Sequence, residues 1–579
     1  MKRLLLIFGI SLFTACQKEA KETQKTPTPP VATPTDFIEE LWYKNSFIYN
    51  LDVEVFKDSD GDGVGDFKGL TQQLDYLKGL GVDAIWLAPF QPTPSQDDGY
   101  DVADFYGIDR RLGTNSDFDE FMRAANQRGI RVMMDMVINH TSNQHPWFQE
   151  ARRNKNSRYR SWYVWSKERP EKWDTGMVFP GVQKAVWTYD SVASEYYYHR
   201  FYEFQPDLNA QNPEVQQEFR KIIKHWLDKG IAGFRLDAVP FLIEVAHSDF
   251  DPDHPQHQYD MISLLRQYIQ WHKKDAIMLG EANVDPKEQE PYFGKDGQGI
   301  QTMFNFFANQ YLFYGLASGE VEPLVKALND TKQIPFNAQW AFFLRNHDEI
   351  DLDRLSDQER AKAYAKFGPD TNMQLYNRGI RRRLAPMLGD LRQIEMAYSL
   401  LFSLPGTPVI RYGEEIGMGD DLTLKERLSV RTPMQWSNQP NAGFSTTGNT
   451  VRPVITKGMY GYPQRNVAAQ LSDSASLLNR IKQFSKLRKS CPEIGWGKWT
   501  VLNTNSTNLL AIRYDWEGRS LVMVHNFSSE PQQFQLTTGL KQATTLVSLF
   551  DQAKTNAEAN GTNALQLPGY GYNWYRLTK

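Results

Sequence analysis

Three carboxylates stand out by type and by setting. Asp237 closes the run Gly233-Phe234-Arg235-Leu236-Asp237, Glu281 follows Leu279-Gly280, and Asp348 follows Phe343-Leu344-Arg345-Asn346-His347. Each ends an apolar, strand-like run. Cleaving a glycosidic bond needs a carboxylate on one face of the sugar and a proton donor beside the leaving oxygen. Further negative charge stabilises the oxocarbenium-like transition state. A lone acid in a strand-end loop serves equally well as a helix cap or ion-pair partner, so it is the set of three that points to sugar-bond chemistry. Arg235 lies two residues before Asp237 on the same strand face, and its charge is expected to keep Asp237 ionised. Glu281 needs the opposite, a raised pKa, which desolvation and neighbouring carboxylates would supply.

The elements that must hold these acids read as a parallel barrel. Short apolar runs at Phe47 to Val53, Ala84 to Ala88, Val132 to Val137, Gly233 to Asp237, Ile277 to Glu281, Met303 to Phe306, Trp340 to Leu344 and Pro408 to Tyr412 alternate with longer amphipathic stretches. Eight such runs predict an α/β fold, a (β/α)₈ TIM barrel, whose site lies in the loops at the C-terminal strand ends. Asn139-His140, Asp237, Glu281 and His347-Asp348 all fall there. The segment between the third and fourth runs is far longer than an ordinary βα loop and rich in Trp, Tyr and Pro, so an inserted subdomain is expected at about 141–205. The catalytic barrel is assigned to 36–474. From 475 to 579 the pattern turns to alternating segments at Leu509 to Tyr514, Leu521 to Phe527, Gln533 to Leu536 and Tyr572 to Leu577, which predict a small antiparallel β-sandwich.

A formal charge of -4 over 579 residues argues against a nucleic-acid-binding surface, which would carry a basic stripe. The run Arg381-Arg382-Arg383 reads as a salt-bridged helix end. Met1-Lys2-Arg3, an apolar run Leu4 to Phe13 and Thr14-Ala15-Cys16 have the order of a secretory signal. They resemble a bacterial lipoprotein signal (1–15) with Cys16 as the acylated residue, followed by a polar, Pro-containing tether (16–35). The expectation is a lipid-anchored protein of the bacterial cell envelope. Cys491, the only other cysteine, leaves no intrachain disulfide if Cys16 is lipidated.

Asp58-Ser59-Asp60-Gly61-Asp62-Gly63-Val64-Gly65-Asp66 places oxygen ligands at alternate positions, with glycines that permit a tight turn. It reads as a calcium loop but not an EF-hand, whose twelfth position is Glu where this chain has Gly69.

Together the acidic motifs, Asp97-Asp98-Gly99-Tyr100-Asp101, Asn139-His140-Thr141-Ser142, Gln205-Pro206-Asp207-Leu208-Asn209 and Arg431-Thr432-Pro433-Met434-Gln435-Trp436 resemble the α-amylase family of glycoside hydrolases. Gln144-His145-Pro146-Trp147-Phe148 and Gly379-Ile380-Arg381-Arg382-Arg383-Leu384-Ala385-Pro386 are similar to its trehalose synthase branch. The resemblance implies Asp237 as nucleophile, Glu281 as general acid/base and Asp348 as transition-state stabiliser. It puts His140, Arg235, His347 and Gln205 around the bound sugar, with Asp97 and Tyr100 closing the pocket and Asp97 paired to Arg427. Leu428 stands where relatives often carry Asp. Structural Ca²⁺, or Mg²⁺, is implied at Asp58, Asp60, Asp62, Asp66 and the Val64 carbonyl. A second calcium is implied at Asn139, Asp207, the carbonyls of Phe241 and Leu242, and Glu244. Maltose, trehalose or short α-glucans are the implied substrates. The rival readings are an exo-acting α-glucosidase of the same fold and a non-catalytic sugar-binding lipoprotein.

Overall fold

The computed structural model describes residues 40–244, 257–540, 544–558 and 561–578. The signal, Cys16 and the tether lie outside the described residues.

Eight parallel strands close a barrel: β1 (Ile48–Leu51), β2 (Ala84–Leu87), β3 (Arg131–Met136), β4 (Gly233–Leu236), β5 (Ile277–Gly280), β6 (Thr302–Phe304), β7 (Gln339–Phe343) and β8 (Thr407–Arg411). They neighbour one another in chain order, and β1 closes the ring by pairing with β2 (Ile48 opposite Ala84) and with β8 (Ile48 opposite Val409). All eight expected runs are barrel strands. They could be read because a parallel strand is buried on both faces and so is apolar throughout. Strand alternation divides the side chains between two cores. Ile48, Ala84, Trp86, Met133, Ile277, Leu279, Ala341 and Val409 fill the barrel, while Tyr49, Ile85, Leu87, Met134, Phe234 and Met278 join the layer beneath the helices.

Helix periodicity completes that outer layer. The helix Asn115–Gln127 opens on a capping box between Thr114 and Asp117 and buries Phe118, Phe121, Ala124 and Ala125, the spacing of one helical face. After β3 the chain makes the expected excursion, a three-stranded antiparallel sheet with Glu195–Tyr198 between Trp165–Ser166 and Trp187–Asp190. Bridges from His140 to Asp207 and from Tyr163 to Leu208 bring its two ends together. A second excursion, after β7, carries the strands Ile350–Asp351, Gln374–Leu375 and Gly379–Ile380 and the helix Asp357–Phe367. The arginine run lies at the start of the helix Leu384–Leu388. Its charges oppose the helix dipole there and are met by Asp420, 3.3 Å from Arg382 Nε, and by Glu414, 3.1 Å from Arg383 Nη1.

The C-terminal strands are β9 (Lys498–Leu502), β10 (Leu509–Trp516), β11 (Arg519–Asn526), β12 (Gln532–Leu536), β13 (Thr545–Ser548), β14 (Lys554–Thr555), β15 (Asn563–Leu567) and β16 (Tyr572–Thr578). Six form one antiparallel sheet in the order β9-β10-β11-β16-β13-β14, and β12 pairs with β15. Leu509, Ala511, Val522 and Val524 face Leu536, Leu565 and Leu567 across a private core. On the opposite face Leu510, Ile512, Tyr514 and Trp574 belong to the main core. There Trp574 Nε1 donates to Ser399 Oγ at 2.9 Å on the helix Leu391–Ser403.

Candidate active site

Asp237 follows β4, Glu281 follows β5 and Asp348 lies in the loop after β7, so all three acids meet at the C-terminal mouth of the barrel in one cavity of about 880 Å³. Arg235, on β4, binds three carboxylates at once. Its Nη1 is 2.5 Å from Asp237 Oδ1 and 2.6 Å from Asp135 Oδ1, and its Nη2 is 2.8 Å from Glu281 Oε2. One guanidinium therefore fixes the spacing of Asp237 and Glu281. The Ala238 amide donates to Glu281 Oε2 at 2.9 Å, from a left-handed backbone conformation (φ 50°) that Ala adopts only when its surroundings over-determine it.

Burial decides the protonation of the pair. It pushes Glu281 up to about 7; Arg235 opposes this, and Asp237 and Asp348 add to it. It also pushes Asp237 up to about 6 against Arg235, aided by Asp135 and Asp348. Arg235 acts in the expected direction, favouring the ionised form of Asp237, but burial outweighs it. A guanidinium shared among three acids cannot offset the desolvation of each. The order of the two groups is still the expected one. For Asp348, burial is outweighed by His347, Arg427 and Arg431, which hold its carboxyl well below the usual range.

The other residues expected around a bound sugar surround these acids. His347 Nε2 is 3.0 Å from Asp348 Oδ2 and 2.6 Å from the Tyr100 hydroxyl, whose ring stacks on the imidazole. His140 Nε2 meets the Tyr100 carbonyl at 2.9 Å. Burial lowers both histidines to about 4, so both are neutral at pH 7. Arg427 bridges Asp97 (2.5 Å) and Asp348 (2.9 Å), and Gln205 Nε2 donates to the other Asp97 oxygen at 3.0 Å. The Asp97–Arg427 pair forms with Leu428 in place.

Three residues that sequence reasoning did not single out complete the network. Asp135 accepts from Trp86 Nε1 at 3.1 Å and from the Tyr100 hydroxyl at 3.0 Å, beneath Arg235. An acid inside the apolar run Val132 to Val137 was the available signal. Arg431 joins Asp98 (2.7 Å) to Asp348 (3.2 Å), and Arg452 pairs with both Asp98 and Glu54.

In the Asp58 loop, Asp58, Asp60 and Asp66 bring carboxylate oxygens within 4.8 Å of one another. Gly61 and Gly63 take positive φ (85° and 96°), and a Cβ at Gly63 would lie 2.0 Å from the Asn449 carbonyl. Three close oxygen donors fit a hard divalent cation. Asp62 stands outside that group, and its carboxylate accepts from the Val64 amide at 2.8 Å. At the expected second position, Asp207 accepts from the Arg200 amide at 3.1 Å and is pushed up to about 8 by burial. Both Glu244 oxygens lie 2.6 Å from Arg200 Nη2. Glu244 thus pairs with Arg200, and Phe241 O accepts from the Glu244 amide at 3.3 Å. Leu242 ends the short helix Val239–Leu242.

A family profile described as alpha amylase, catalytic domain, matches residues 47–497. The chain belongs to the α-amylase family. It is a glycosidase or transglucosylase of that family, and a sucrose hydrolase-like C-terminal domain profile matches residues 518–576. The trehalose synthase/amylase TreS of Mycolicibacterium smegmatis is 39% identical over 551 residues, covering 93% of this chain and 92% of that protein. An oligo-1,6-glucosidase of Bacillus cereus is 30% identical, covering 86% and 93%. Among solved structures, an alpha-amylase from H.orenii superposes with a TM-score of 0.74 at 31% identity, covering 92% of this chain and all of that one.

Proposed function

We propose that this α-amylase-family enzyme interconverts maltose and trehalose by a retaining double displacement. The observation that carries the reading is the Arg235 bridge between Asp237 and Glu281 at the foot of a cavity walled by Asp97 and Arg427. A short separation between two carboxyls is the retaining geometry. Asp237 attacks the anomeric carbon, and the breaking bond's electrons go to the glycosidic oxygen, which takes the Glu281 proton. Asp348, held ionised by Arg427 and Arg431, stabilises the cationic transition state. The freed glucose then turns, gives its anomeric hydroxyl proton to the Glu281 carboxylate and displaces Asp237. If water makes that second attack the product is glucose, so exclusion of water selects the isomerase outcome. The likeness to a trehalose synthase over nearly the whole of both chains supports this choice over the α-glucosidase.

The Asp58, Asp60 and Asp66 group is read as the site of a structural Ca²⁺ or Mg²⁺. The leader and Cys16 support a lipid-anchored envelope protein. Incubation of the purified chain with maltose, followed by NMR of the anomeric protons, tests the activity. Trehalose with little glucose is expected. Glucose alone would make the protein an α-glucosidase, and binding of maltose without turnover would make it a sugar-capturing protein.

A further inference from the structure

Behind the cavity wall, three excursions of the chain meet at one carboxylate. Glu426 Oε2, on the loop after β8, accepts from the Tyr202 hydroxyl of the inserted subdomain at 2.7 Å and from the Tyr376 hydroxyl of the β7 excursion at 2.7 Å. The two hydroxyls are 3.2 Å apart. Both tyrosine rings pack on Phe179, with Tyr202 stacked at 4.9 Å and Tyr376 at 4.7 Å between centroids. Phe179 lines the cavity and lies under the Arg427 guanidinium at 5.1 Å. Two members of the trio hold left-handed backbone conformations, Tyr376 at φ 55° and Glu426 at φ 42°. Non-glycine residues keep such angles only where tertiary contacts over-determine them, and they gather at ligand clamps. Arg381 ties the same two excursions together through the carbonyls of Asn372, Leu424 and Glu426.

We propose that Tyr202, Tyr376 and Glu426 form a clasp that pins Phe179 over the cavity and so sets how the glucosyl intermediate divides between the retained sugar and water. The inference rests on the isomerase reading above. The three are positioning residues. None touches the reacting atoms, and each acts through Phe179 and the neighbouring Arg427. Two phenols on one carboxylate make a short, charge-assisted network that ties the roof without adding a charge to the cavity.

The test compares the glucose-to-trehalose ratio formed from maltose by the wild type, by the Tyr202→Phe/Tyr376→Phe double variant and, separately, by Glu426→Gln. The expected result is a glucose share raised by about threefold or more, with maltose consumption within about threefold of wild type, because the chemistry is untouched and only water exclusion is weakened. A merely structural role would lower consumption and leave the ratio where it was. Variants with an unchanged ratio, at whatever rate, overturn the clasp while the isomerase reading stands. A wild type that gives glucose alone overturns both.

Discussion

Two groups of carboxylates in this chain are held in opposite ways. At the barrel mouth the acids around the reacting bond have guanidinium partners: Asp237, Glu281 and Asp135 share Arg235, and Asp97 and Asp348 share Arg427. In the Asp58 loop the donors are neutral. Asp58 accepts from the Ser445 hydroxyl at 2.5 Å and from the amides of Asp60, Gly61 and Gly63, and Asp66 accepts from Ser59 and Gly69. Among the described residues no lysine or arginine forms an ion pair with Asp58, Asp60 or Asp66. The first group carries its own counter-charge, so burial is free to tune its protonation. The second is met mainly by dipoles, with the Lys57 charge acting on Asp58 and Asp66 without an ion pair, and its close oxygens suit the cation proposed for this loop.

The most damaging way to break the first group is Asp237→Ala, which leaves Arg235 in place. It is expected to lower kcat by at least about a thousandfold, roughly 4 kcal/mol of barrier, and near-normal turnover of maltose would end the assignment. Arg427→Leu strands Asp97 and leaves Asp348 to Arg431 and His347. Removing one partner of a buried pair leaves an uncompensated charge, so kcat/KM should fall about a hundredfold, or about 2.7 kcal/mol. An unchanged kcat/KM would show that the pair is ornamental to catalysis.

The pH profile sharpens the contrast. Asp237, raised to about 6, must be ionised to attack, so activity is lost as pH falls through that value. Glu281, raised to about 7, must hold its proton, so activity is lost as pH rises through that value. Initial rates should trace a narrow bell between these limits, and a flat profile from pH 5 to 9 would contradict it. The smallest effect belongs to the second group. Calcium at about 100 times its Kd adds about 2.7 kcal/mol to stability, so chelation should lower Tm by a few degrees in the wild type and not in Asp58→Ala. The rate measured well below Tm should be the same with and without the ion. A calcium-independent Tm in the wild type would remove the cation from the loop.

How much of this could be read in advance follows burial geometry. The eight barrel strands are apolar runs, β10 and β11 are apolar because both their faces are buried, and β12 alternates, so these patterns survive in one dimension. The strands Ile350–Asp351, Gln374–Leu375 and Gly379–Ile380 span two residues each, too short for any period, and the excursion they build went unread. The acids were legible because each terminates an apolar run. Their counter-ions were legible only nearby. Arg235 lies two residues from Asp237, but Arg452 reaches Glu54 across 398 positions, and only folding brings such a pair together. The net rise of the Asp237 pKa was not legible, for a related reason. A neighbouring charge can be seen in a sequence, whereas the desolvation that exceeds it is a property of the finished cavity.

The place of β16 in its sheet has a consequence for synthesis. Tyr572–Thr578 runs between β11 and β13, at the middle of the six strands, and brings Trp574 to Ser399. The barrel's last strand ends at Arg411, so a nascent chain can close the barrel while the sheet that covers the Leu391–Ser403 helix still lacks its central member. At about 5–20 residues per second that interval is on the order of ten seconds to half a minute. Through it the buried face of that helix stands open, joined by the apolar edges of β11 and then β13 once each is made, a window in which a chaperone, or a second chain, would find its target.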